Sequence, residues 1–112
     1  MIKTEINIQK LTQDIIAAAT GAAKGHAADL KQYVEAHARI IADGTKQIAS
    51  DCIQNKITDD DLHFAFDQIK ESEATSLLAI EVTLKAAAQD AINAAISVAE
   101  AAINKAVGIA LL

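Results

Sequence analysis

The chain has 112 residues, a formal net charge of −5, 25 alanines, four glycines and no proline. That length makes one domain, and that composition favours helix, because alanine has the best intrinsic helix propensity and proline the worst. The ten basic residues are spread singly. They form no cationic stripe for a phosphate backbone, which argues against nucleic acid as a partner.

Other features narrow the setting. Cys52 is the single cysteine, so no internal disulfide can form, and a lone thiol fits a reducing, cytoplasmic compartment. The stretch Met1, Ile2, Lys3, Thr4, Glu5 carries an acid and no long apolar run, so it does not read as a signal peptide. The longest charge-free runs, residues 15–23 and 91–99, are nine residues each. A spanning helix needs roughly 20.

Residues 1–6 show only a weak alternation of Ile2, Thr4 and Ile6. Asn7 is a natural N-cap for a first helix, with Ile6 and Leu11 at the spacing of a hydrophobic staple; Thr12 offers a second start between Leu11 and Ile16. Gly21, Gly25 and Gly44 could each end that helix. At about 100° per residue, however, Ile15, His26, Leu30, Val34, His37, Ile41, Ile48 and Cys52 fall on one face, and a break would normally reset such a phase. The pattern therefore predicts one helix over about 8–54, bent at Asp43 and Gly44. Glu35 and Arg39 add an i,i+4 pair on the opposite side.

Residues 55–58 read as the turn. Thr58 is placed to cap a second helix by accepting from the Asp61 amide, and Asp59, Asp60 and Asp61 put negative charge at the positive end of its dipole. Ile57 and Leu62 form the staple. The second helix is predicted over about 59–110, with Glu81 and Lys85 as an i,i+4 pair. Its first half carries the stripe Leu62, Phe66, Ile69, Leu77, Ile80, Leu84. Its second half carries Ile92, Ile96, Ile103 and Val107, rotated by about 100° from the first and repeating at eleven residues, which means straight or slightly right-handed packing rather than a heptad coiled coil.

Two helices of this length would each be roughly 70 Å long, and a lone hairpin buries only one seam. The expected architecture is therefore all-α: a long antiparallel helical hairpin, one domain over residues 1–112, assembling as a dimeric four-helix bundle. Residues 8–30 and 85–112 are apolar over more than one face. That places the meeting of chains at the open end, with Ile92, Ile96, Ile103 and Val107 as interface candidates.

Chemistry-bearing residues are few. His26, Tyr33 and His37 lie in the apolar stripe of the first helix. Counting outward from the turn brings His37 within a turn of Glu73, the one carboxylate inside the Phe66, Ile69, Leu77, Ile80 stripe. A core histidine beside a core carboxylate suits an acid/base pair or a divalent metal, with His26 of a second chain completing His37 and Glu73 in an antiparallel dimer. The plainer reading is a histidine that fixes helix register. Di-iron bundles show Glu-x-x-His twice, and Glu35, Ala36, His37 has the wrong spacing.

Asp59, His63, Asp67 and Glu71 form an i,i+4 row that could bridge a cation, though a solvated acidic face explains it as well. Gly21 to Gly25 has small-xxx-small spacing, which suits close helix packing. Cys52 lacks a neighbouring base and reads as a buried structural thiol.

These residues point first to a non-enzymatic, self-associating helical bundle with a structural or protein-interaction role and no cofactor. A metal- or small-ligand-binding bundle with a His/Glu core site is the alternative. An amphipathic hairpin lying on a membrane surface is the third reading.

Overall fold

The computed structural model describes residues 5–108. Four α-helices are present: α1 (Ile8–Ala23), α2 (Lys31–Ile53), α3 (Asp59–Ser76) and α4 (Lys85–Val107). Each of the two long helices expected from the sequence is divided in two. The weak alternation at Ile2 and Thr4, and the predicted helical end over residues 109–110, lie outside the described residues.

The first break spans Lys24 to Leu30. Lys24 takes a positive φ of 53°, and a short 3-10 turn follows over Lys24–His26. The apolar phase continues across this break because Ile15 alone carried it on the N-terminal side. In α1 the true buried row is Leu11, Ile15, Ala19 and Ala23, built mainly from alanine.

The second break runs from Leu77 to Leu84 as two short 3-10 turns, with Ile80 and Glu81 extended between them. No glycine or proline marks it. Ile80, Val82 and Thr83 are β-branched, and such residues lose side-chain freedom in a helix. The rotation between the two apolar stripes of the second half is the trace of this break: α3 and α4 present separate faces.

Gly44 does not interrupt α2. A Cβ there would stand 2.9 Å from Ile69 Cδ1, so the missing side chain lets α3 approach. Gly108 ends α4 in a left-handed conformation, φ 83°, with its amide bonded to the Asn104 carbonyl. That cap is the usual use of glycine after a helix.

The expected caps form. Asn7 accepts from the Lys10 amide at 3.1 Å. The Thr58 hydroxyl accepts from the Asp61 amide at 3.1 Å, and the Asp61 carboxylate accepts from the Thr58 amide at 3.0 Å. That reciprocal pair is a capping box. Neither Glu35 with Arg39 nor Glu81 with Lys85 is an ion pair among the described residues; Glu81 lies outside the helices and accepts from Thr83.

Because the chain breaks twice, one chain supplies four helices to a body of 43 × 23 × 19 Å. The most extensive packing is α1 against α4, followed by α2 against α4 and α1 against α2. α3 packs mainly on α2 and only slightly on α4. The core joins Leu11, Ile15, Leu30, Ile41, Phe66 and Ile103 with a large set of alanines. No helix of the described residues is long and apolar enough to cross a membrane.

Thr58→Ala removes one half of the capping box from a helix with little packing to spare. It should lower unfolding stability by about 1 kcal/mol. Urea denaturation followed by circular dichroism checks this, and an unchanged midpoint would contradict it.

Candidate functional site

The polar chemistry of the core lies in the α2–α3 seam. Tyr33 and His37 are four residues apart on α2, and Glu73 and Ser76 are three apart on α3, so each pair shares one helix face. The two helices run back along each other from the Thr58 turn, which sets the early part of α2 against the end of α3.

There His37 Nδ1 stands 2.7 Å from Glu73 Oε1. The distance would allow a hydrogen bond, but the ring N–H points off that line, and the contact is an ion pair when the imidazole carries a proton. Glu73 is 1% exposed, one of two buried polar residues among those described. The His37 side chain is 21% exposed, so solvent reaches its ring. Burial pushes the Glu73 carboxyl above its usual range, and the charge of His37 offsets part of that rise.

Tyr33 flanks the pair, its ring centroid 4.4 Å from that of His37 at an angle of 39°. Ser76 Oγ donates to the Glu73 carbonyl at 2.6 Å, which leaves the Tyr33 hydroxyl to donate to Ser76 Oγ, also at 2.6 Å. Burial raises the Tyr33 pKa, with the Ser76 bond acting against that rise. The result is a short polar ladder in an apolar seam: Tyr33 on Ser76, His37 on Glu73.

Within one chain the other candidate residues stand apart from this pair. His26 belongs to the turn between α1 and α2, is half exposed, and faces Asp29 at 3.7 Å. Among the described residues no group of three His, Cys, Asp or Glu side chains is placed to hold a metal ion. Asp59, His63, Asp67 and Glu71 are all exposed, and only Asp67 approaches a cation, Lys70 at 3.9 Å. The Thr58 amide, then its hydroxyl, hold the Asp61 carboxyl below its usual range, as a cap and not as a ligand. Cys52 is buried. Gly21 and Gly25 have open space where a Cβ would stand, so neither serves a close helix contact.

The interface candidates Ile92, Ile96, Ile103 and Val107 are buried within the chain itself, at 5, 8, 0 and 3% exposure. The apolar second face of α4 is covered by the chain's own helices. The break at Leu77 to Leu84 lets α4 turn back over α1 and α2 and use both faces internally.

A groove of about 550 Å³ runs between the start of α1 and the end of α4, floored by Ile6, Leu11, Val98 and Ala102. Glu5 and Asp14 balance Lys10 and Lys105 along it, and Lys10 pairs with Asp14 at 2.8 Å. Its rim therefore favours neither sign of charge.

Two features escaped the sequence reading. Ser76 was legible as the residue three after Glu73, on the same face, yet no motif singled it out. Thr45, fully buried on α2 with no partner for its hydroxyl, carried no signal at all.

No family model, no curated protein and no solved structure matches this chain.

His37→Ala would leave Glu73 as a buried carboxylate without a counter-charge. The expected loss at neutral pH is about 3 kcal/mol, the cost of breaking a buried pair from one side. The loss should shrink as pH falls and Glu73 takes up its proton. Unfolding of both proteins at acidic and neutral pH measures it, and an equal loss at both would contradict the assignment.

Proposed function

We propose that the protein is a non-enzymatic helical bundle that acts through contact with other proteins, copies of itself first among them. The observation that carries this reading is where most of the large apolar side chains left outside are found. Of the four exposed among the described residues, Ile40, at 55%, lies on α2, while Phe64, Leu78 and Val82, at 67, 76 and 81%, lie on α3 or the segment that follows it. This is also the part of the chain with the thinnest packing against the other helices. Leu78 and Val82 lie four residues apart, beside the half-buried Ile80. Exposed apolar side chains at Leu78 and Val82, next to a helix that packs on little besides α2, are what a contact surface needs.

The polar seam supports the non-enzymatic part. Glu73 is closed off between two helices, and the groove between α1 and α4 includes neither Glu73 nor His37. A general acid or base must come within hydrogen-bond reach of the group it serves. The reading moves the contact surface away from α4, whose apolar faces are spent inside the chain, to α3 and its connection.

Sedimentation over a broad range of protein concentration tests it. The wild-type chain should show a mass of two or more copies that falls on dilution. Leu78→Asp combined with Val82→Asp should give the mass of one chain with unchanged helicity, since both side chains are exposed. A wild-type chain that stays single at every concentration would overturn the reading.

A further inference from the structure

We propose that the α2–α3 seam is a proton-dependent latch: the buried Glu73–His37 pair holds α3 on α2 while it retains a proton, and α3 loosens from the rest of the fold when that proton is lost.

Three observations combine. First, Glu73 is 1% exposed and its carboxyl meets one basic side chain, His37, at 2.7 Å. Among the described residues His37 is the charged group acting on Glu73: Tyr33, also on the α2 side, is bonded to Ser76, and Glu81 in the connecting segment is bonded to Thr83. Lys85, in the first turn of α4, is not among the groups acting on Glu73. Second, the two facing atoms, His37 Nδ1 and Glu73 Oε1, are both buried and have no other hydrogen-bond partner, while the rest of the His37 ring reaches the surface. Third, α3 rests on α2 and only slightly on α4, so few contacts outside this seam hold it.

The direction follows from the chemistry of a shared proton. With one proton between them the two groups are a pair of opposite charges or two neutral groups, and both arrangements are tolerated in an apolar seam. When the proton leaves, an ionised carboxylate remains in a site closed to water with no counter-charge, which is among the costliest states a protein interior can hold. Burial holds the Glu73 carboxyl above its usual range. A group whose folded-state value is raised gives its full contribution below the unfolded value and loses it as pH rises through the folded one. Raising pH therefore weakens the seam. α1 and α4 carry none of these groups and keep their packing. Release of α3 would uncover Leu62, Phe66 and Ile69 on one side of the seam.

Hydrogen exchange of the full-length chain, read by mass spectrometry over a pH series and corrected for intrinsic exchange rates, tests this. Protection of α3 amides should fall by about tenfold or more relative to α1 and α4 as pH rises, a tenfold change corresponding to one pKa unit of differential proton binding. In Glu73→Gln, which keeps the shape and removes the charge, α3 should track α1 and α4 at every pH. If α3 tracks them in the wild-type chain, or if Glu73→Gln keeps the wild-type slope, the latch is overturned. Should Glu73→Gln fail to fold, the wild-type series alone decides, since the selective loss must appear there.

Discussion

The fold depends on how closely α4 can approach α1 and α2. Ala19, Ala23, Ala88, Ala91, Ala95, Ala99 and Ala106 are all at most 3% exposed. An alanine core gains little per side chain, so its stability comes from continuous contact at short interhelical distance. Isoleucine fills the remaining space at Ile15, Ile92 and Ile103. Widening that approach by one large side chain would push the helices apart and loosen their contact over neighbouring turns.

This constraint explains the two breaks. Continuous helices would leave the second apolar faces of α1 and α4 without cover. Folding back at Lys24 to Leu30 and again at Leu77 to Leu84 lets one chain cover them. The same economy leaves α3 at the margin. It carries the acidic cap, the exposed Phe64, and a seam that mixes Leu62 and Phe66 with the Glu73 and His37 pair. Tight alanine packing and a polar seam thus divide the molecule into a firm part and a responsive part, and the most exposed large apolar side chains, Phe64, Leu78 and Val82, fall on the responsive side.

Much of the local structure was legible in the residues. Asn7 and Thr58 cap as their side chains dictate, and counting from the Thr58 turn placed His37 beside Glu73. The division of the long helices was not legible by the same means. Lys24 takes a positive φ next to a glycine that does not, and no rule of propensity selects it. At Leu77 to Leu84 the sign was present as a rotated stripe with β-branched residues between its halves, but helix periodicity alone cannot separate a rotated face from a new helix. The predicted interface at Ile92, Ile96, Ile103 and Val107 followed from that continuity. Residues apolar on two faces must be buried, and only the topology decides whether another chain or the same one buries them.

The most direct test is a distance within one chain. Gln9 and Gln54 lie at the exposed start of α1 and the end of α2. In the folded chain those ends sit together, as the Lys46 Nζ bond to the Ile6 carbonyl at 3.2 Å and the Ser50 contact with Glu5 at 3.4 Å require. Spin labels at Gln9→Cys and Gln54→Cys, on a Cys52→Ser background and diluted with unlabelled chain, should give one short separation, within the 23 Å width of the body plus the reach of the labels. A separation near 68 Å, the length of an unbroken helix between those positions at 1.5 Å per residue, would contradict the account.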